Sequence, residues 1–266
     1  GVEPATVDDP WTWPEFRDAA NKMTTADVMG AGLRLQGSGG INGVMKLSPS
    51  VGAEWFDDST GTWKTELGAN ELELPKLIHD MIHVDGSMST ELLGLTGSGV
   101  NTLFLQEQLA MQISGEYIRS QIVAAEPDFE WISMPAPVGV SNVQPNDAQT
   151  MSIAATSDHP EAAMEFIEFA LNAENQVKLA VGDWLVPVAT EARNDEDLAN
   201  SGNFWDVSLA VSNNLDSVDW QKISTFGDWR SETAPAWFDY FNGDIGLDEF
   251  AERVIELGDP ALARAE

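Results

Sequence analysis

The sequence contains no cysteine. Disulfides, thiolate catalysis and cysteine-ligated zinc are therefore excluded together. Basic residues are scarce: 13 Lys and Arg stand against 44 Asp and Glu, a formal net charge of -31. A field of that sign repels phosphate backbones and anionic headgroups, so neither nucleic acid nor a lipid surface is expected as a partner. No apolar run approaches the ~20 residues that a membrane-spanning helix needs. The catalytic signatures are missing too. There is no G-x-S-x-G elbow, and the glycine runs GSGG (37–40) and GSG (97–99) lack the following Lys-Ser/Thr of a phosphate loop.

What is present describes a folded, acidic protein. At 266 residues the chain exceeds what one core usually serves, and 43% apolar content is ordinary for a globular protein. Two lobes are expected. The acids form no block; they recur along the chain, mostly on the polar faces of expected helices. Their repulsion is screened within roughly 3 Å at molar salt but only within about 10 Å at 0.1 M. This pattern suits adaptation to concentrated salt, with an acidic mesophilic protein as the alternative.

Strand and helix signals alternate, which favours an α/β architecture. TWPEFRDAANKMT opens with Thr12 and Glu15 in a capping box, Pro14 in the first turn, and an apolar face of Phe16, Ala19, Ala20 and Met23. GAGLRLQ reads as a short strand followed by a glycine loop and a helix. EWFDDSTGTWKTEL reads as a hairpin; its Gly61 is fifth from Asp57, not sixth as a calcium loop requires. A helix is expected from Asn70, closed by Glu73. A short helix from about Asn101 leads into the strand LAMQIS, and FEWISMPAPVG is a further strand. After a strand near TMSIAA, a helix starts at Asp158 with Glu161 closing its cap, and a second runs to Gly182. The last third is helical with breaks, and its final helix ends at Gly258 as a C-cap.

Candidate chemistry is sparse. His79 and His83 share a helix face at i, i+4 and could chelate zinc, but the base between them would be Asp80, and only His159 remains as a third histidine. A solvated or half-buried helix edge accounts for the pair better. With 44 acids, no carboxylate pair singles itself out for glycoside hydrolysis. The glycine runs read as turns where backbone passes close to another lobe or a ligand. The distinctive feature is aromatic: ten tryptophans, several at element ends. Tyr117 follows Gly115, Trp184 sits in GDWLVP, and Trp229 sits in STFGDWRSE. Such rings either close core edges or offer flat apolar faces with a polar tip, which suits a sugar.

The order NTLFLQEQLAMQISGEYI, PAPVG, MSIAATSDHPEAAMEFIEFALNAENQVKLA and GDWLVPV resembles the family 1 extracellular solute-binding proteins of ABC importers, the group that includes maltose-binding protein. TWPEFRDAANKMT resembles the helix opening their second lobe. The resemblance implies a periplasmic-binding-protein-like (type II) two-lobe α/β fold, here incomplete, since the opening GVEPATVDDPWTW resembles an interior connection and the N-terminus is expected to lie upstream. It maps residues 1–145 mostly to the second lobe, 146–188 to a crossing segment with part of the first, and 189–266 to second-lobe helices and the hinge return. It implies capture of a carbohydrate in an inter-lobe cleft and delivery to membrane permease subunits. The protein would be an extracellular, cell-surface or periplasmic monomer, anchored through the missing N-terminus, without catalysis, cofactor or metal. Tyr117 takes the place where relatives commonly have tryptophan, as the stacking floor. Glu116 would accept from sugar hydroxyls or favour a cation. Trp184, Trp229, Arg230 and Asn42 are the other implied contacts. Asn146-Asp147-Ala148 replaces the glycine pair common at the crossing. A secreted carbohydrate-active enzyme, or a receptor lobe without transport, is the alternative.

The charge alone generates one expectation. The thermal midpoint, followed by tryptophan fluorescence, rises steadily between 0.1 M and 2 M KCl; a midpoint indifferent to salt removes the halophilic reading.

Overall fold

The computed structural model describes residues 1–146, 149–183, 185–215 and 218–265. In chain order the elements are α1 (Trp13–Met23), β1 (Gly32–Leu33), α2 (Gly37–Leu47), β2 (Phe56–Asp57), β3 (Lys64–Thr65), α3 (Ala69–His83), α4 (Gly97–Leu105), β4 (Gln112–Ile113) and α5 (Tyr117–Ala125). They continue with α6 (Pro160–Ala170), α7 (Ala173–Asp183), α8 (Thr190–Arg193), α9 (Glu196–Ala199), α10 (Trp205–Val211), α11 (Phe226–Asn242) and α12 (Leu247–Leu262). β1 pairs with β4 in parallel, Gly32 opposite Gln112, and β2 pairs with β3 antiparallel, Phe56 opposite Thr65.

Contacts divide the chain into two units. Unit 1 comprises Gly1–Ser114, Ala136–Asn146 and Asn214–Glu266; unit 2 comprises Gly115–Pro135 and Asp147–Asn213.

Several elements follow local chemistry directly. The Glu15 carboxylate accepts from the Thr12 N–H at 2.8 Å, and the Thr12 hydroxyl accepts from the Glu15 N–H at 3.4 Å, as the capping box requires. In the β2–β3 hairpin, Asp57 accepts from the N–H and the hydroxyl of Ser59, at 2.8 and 2.7 Å. That carboxylate therefore serves an Asx turn.

Other boundaries shift, each for a physical reason. α3 starts at Ala69, because Glu71, not Glu73, reaches back: its carboxylate accepts from Gly68 N–H at 2.8 Å and Glu54 N–H at 2.7 Å. Asn70 instead donates to the Gly52 carbonyl at 3.0 Å. The glycine runs are helix starts rather than loops: GSGG opens α2, and α4 begins at Gly97, where Thr96 accepts from Gly99 N–H at 3.2 Å. LAMQIS contributes only Gln112 and Ile113 to a ladder, with Leu109 in an isolated bridge to Met29. FEWISMPAPVG forms no strand. Pro135 and Pro137 lack the N–H a ladder needs, and only Val138 bridges, to Thr12. No strand forms over residues 149–155, and Asp147 and Ala148 lie outside the described residues. α6 starts at Pro160 with no side-chain cap bond from His159.

α12 does not end at Gly258; it continues to Leu262. Gly258 is there for clearance. A Cβ on it would stand 2.2 Å from Trp229 Nε1 and 3.0 Å from Thr65 Oγ1. The helix needs glycine where α11 and the hairpin press against it.

Unit 1 is built around that contact. Trp229 is 0% exposed, and its indole N–H donates to Thr65 Oγ1 at 2.9 Å. Its ring stacks near Phe226 and meets Phe56 edge-on. Trp237 meets Phe250 edge-on, and Tyr240 stacks on the same ring. Buried indoles elsewhere are also satisfied by hydroxyls: Trp13 donates to Ser50 at 2.9 Å and Trp55 to Ser48 at 2.6 Å. His79 and His83 belong to this unit. The His79 ring stacks on Tyr240, and burial, followed by the nearby His83, draws its pKa below the ordinary value. His83 Nε2 lies 3.0 Å from the Phe241 carbonyl oxygen.

Unit 2 has a smaller core of Ala180, Leu198 and Trp205, flanked by Val177, Val186 and Leu209. Its helix α6 buries no residue; Phe166 is 61% exposed and Phe169 64%. The three glutamates of α6 (Glu161, Glu165, Glu168) share one arc, and the remaining circumference is apolar.

Replacing Gly258 by Ala forces a methyl into the Trp229 indole. Overpacking of this kind costs about 1–3 kcal/mol. The Gly258→Ala chain should therefore unfold at a lower denaturant midpoint with an unchanged slope.

Candidate ligand-binding site

In unit 2 the chain turns from Gly115 into α5, and Tyr117 is the first helical residue. Its side chain is 48% exposed. The ring folds back over Gly115: a Cβ on that glycine would stand 2.9 Å from Tyr117 Cε1. Gly115 has no left-handed φ. Its role is to clear space for the aromatic ring beside the backbone. A half-exposed ring held close to its own main chain is a pre-oriented apolar surface with a hydroxyl at its edge.

Glu116 is tied down from below. Its carboxylate forms an ion pair with Arg119 and accepts from the Ser208 hydroxyl at 3.1 Å. Both acceptor oxygens are thus engaged within unit 2, rather than offered to a solute hydroxyl. Arg119 is 5% exposed and lies 5.0 Å above the Trp205 ring. Its Nη1 donates to the carbonyls of Asn203 and Phe204, at 3.0 and 2.9 Å. Asn203 and Phe204 both have left-handed backbones, φ 52° and 64°, next to Gly202 at 82°. That conformation costs a non-glycine residue of order 1–3 kcal/mol. The guanidinium offsets it by holding both carbonyls. Burial pulls the Arg119 pKa below its ordinary value, while Glu116 and Asp206 oppose the shift. Nothing in the sequence marks Arg119 as special except the scarcity of bases around it.

Unit 1 presents a second group. Arg230, on α11, lies 4.8 Å above the Phe226 ring, with Nη1 3.5 Å from the Ser38 carbonyl oxygen. Ser38 belongs to the first turn of α2, the helix that also carries half-buried Asn42. The fold thus brings Arg230 to the helix of Asn42. Arg34, not singled out by the sequence, lies against the same turn, its guanidinium on Gly39. Trp229, one residue before Arg230, points the other way. Its ring is enclosed by Phe56, Phe226 and Thr65, so it offers no face to a solute. The expected ligand contact at Trp229 is instead a core residue, because α11 turns consecutive side chains by 100°. Trp184 lies outside the described residues.

Known proteins share this fold. The family profile of bacterial extracellular solute-binding proteins matches residues 2–177. A Streptomyces antibioticus protein, described as an uncharacterised lipoprotein in the oleD 5′ region, is 32% identical over 245 residues, 90% of this chain and 53% of the relative. Among solved structures, maltose-bound MalE3 of T. maritima matches with a TM-score of 0.74 at 14% identity, over 97% of this chain and 66% of its own. The cyclic α-maltosyl-1,6-maltose binding protein of Arthrobacter globiformis matches with a TM-score of 0.75 at 14% identity, over 96% of this chain and 65% of its own. A solute-binding protein of Agrobacterium vitis with bound D-mannitol gives 0.72 at 18% identity, over 96% and 66%. The chain therefore spans about half the length of the lipoprotein and about two thirds of the solved structures. The architecture is the two-lobe α/β fold of type II periplasmic binding proteins, in part. This chain belongs to the bacterial extracellular solute-binding proteins.

Proposed function

We propose that this chain is the substrate-binding component of an ABC importer, that its solute is a saccharide, and that it hands the solute to membrane permease subunits. Family membership supports the binding role. The solved proteins of the same fold are named for maltose, a cyclic maltosyl-maltose and mannitol, which supports a polyhydroxylated solute. The observation that carries the proposal within this chain is Tyr117, half-exposed at the start of α5 with its ring laid over Gly115. An aromatic face bordered by a hydroxyl matches the C–H face and hydroxyl rim of a pyranose. The role is capture, with no bond made or broken. We also place the protein outside the cytoplasmic membrane, as a monomer anchored at the cell surface; a relative described as a lipoprotein supports the anchoring.

In this reading Glu116 and Arg119 position Tyr117 without touching the solute. The buried guanidinium holds the start of α5 and the left-handed turn before α10 in one arrangement.

Two outcomes follow. Titration of the chain with maltose and maltodextrins in molar KCl, read by tryptophan fluorescence, should show binding that Tyr117→Ala weakens 10–100-fold. That range corresponds to ~50–100 Å² of apolar contact at ~25 cal/mol per Å². Equal affinity of parent and variant would remove Tyr117 from the site. Arg119→Met, by contrast, breaks a buried pair and frees two strained carbonyls. It should cost about 3–5 kcal/mol of stability in unit 2, measured by hydrogen exchange of α5 and α10.

A further inference from the structure

Two guanidinium groups of unit 1 end on one short piece of backbone. Arg34 is an exposed residue, yet its side chain does not extend into solvent. It lies flat on Gly39, where a Cβ would stand 2.3 Å from Arg34 Cζ and 2.5 Å from each Nη. Arg230 reaches the neighbouring residue from α11, its Nη1 3.5 Å from the Ser38 carbonyl oxygen. Asn42 stands three residues after Gly39 and four after Ser38, so it shares their helix face.

The charge arithmetic makes this convergence unusual. The chain has 13 basic residues for 44 acids, and most of the ordered bases are claimed. Arg17 pairs with Asp85, Lys76 with Asp80, Arg119 with Glu116, Lys178 with Glu174, Arg253 with Asp239 and Arg264 with Glu232. Arg34 has neither a hydrogen bond nor an ion pair among the described residues, and Asn42 has no hydrogen-bond partner there. A guanidinium kept clear of carboxylates in so acidic a chain, and brought beside a second one, leaves planar donors aimed at nothing in the protein. Two like charges on adjacent residues repel until an anion joins them.

We propose that Arg34, Arg230 and Asn42 form an oxyanion-recognition patch, and that the saccharide this chain takes carries an acidic group. This rests on the saccharide reading above and narrows it. A carboxylate, as in a uronic acid, and a sulfate or phosphate ester share the required chemistry, since a guanidinium fork pairs bidentately with each. The glycine at 39 has a specific role in the patch: it makes room for the Arg34 guanidinium on the helix surface. The net charge of -31 does not forbid an anionic solute at high salt. At molar ionic strength the bulk field dies within roughly 3 Å, and contact charges decide.

The test is calorimetric titration of the whole chain in molar KCl. The probes are glucuronate, glucose 6-phosphate and glucose 6-sulfate beside neutral glucose, with the corresponding maltose series. At least one acidic sugar should bind ten times tighter than its neutral parent, and which one names the oxyanion. R34Q should bring that sugar down to the affinity of the parent. G39A, which displaces the guanidinium and keeps its charge, should weaken the acidic sugar severalfold. Both variants should melt like the parent protein, since Arg34 is exposed. Neutral sugars binding as tightly as all acidic ones, or a preference that survives R34Q, would overturn the patch while leaving saccharide capture in place. Absence of binding by every sugar, neutral and acidic, would overturn both.

Discussion

The contact between the Trp229 indole, the Thr65 hydroxyl and the bare backbone of Gly258 organises unit 1. A tryptophan can be wholly buried only if its N–H finds an acceptor, and Thr65 supplies it at 2.9 Å. That bond joins α11 to the β2–β3 hairpin across 164 residues of sequence. Gly258 then lets α12 close over the pair. Phe226, Phe56 and Trp220 pack around the same indole cluster, and Trp237, Tyr240 and Phe250 extend it along α11 and α12. Because α11 is fixed by Trp229, the next side chain, Arg230, is delivered to the start of α2. The functional patch of unit 1 is thus the outward consequence of an inward anchor.

Unit 2 uses a different device. Its apolar core is small, and one buried ion pair supports the surface that carries Tyr117. Arg119 holds three oxygens at once: one from Glu116 and the carbonyls of Asn203 and Phe204. A buried charge is costly when unpaired and tolerable when every donor has a target. Here the same interactions also hold two left-handed, non-glycine residues that would otherwise relax. Glu116, which neighbours the stacking ring in sequence, is therefore committed to the scaffold.

Tryptophan abundance shows how composition can point to the wrong chemistry. Rings at element ends suggested a lining for sugars, but Trp13, Trp55, Trp205, Trp220, Trp229 and Trp237 are all buried. Three of them satisfy their N–H on serine or threonine hydroxyls. In a chain with only two tyrosines, indoles fill the core volume, and the exposed stacking surface falls to Tyr117. The exposed phenylalanines of α6 make the complementary point. An apolar helix face was legible in SDHPEAAMEFIEFAL, yet its burial depends on what packs there, which periodicity does not state.

The sequence by itself determined the local features whose partners lie within a few residues. The Thr12–Glu15 box, the hairpin turn at Asp57 and Ser59, and the helix periods are of this kind, because short chain segments close such contacts with little entropy. Charge and the absence of cysteine settled which chemistries were closed. The order of motifs pointed to the solute-binding family. What only the tertiary structure decided were the contacts between residues far apart in the chain. Gly258 reads as a helix stop until Trp229 is seen pressing on it, and Trp229 reads as a ligand platform until Thr65 is seen accepting from it. Arg34 and Arg119 carry no sequence signal at all, because their roles depend on Gly39 and Arg230 in one case and on residues 203 and 204 in the other. Side-chain direction and the pairing of distant polar groups are set by packing, and packing is a property of the whole fold.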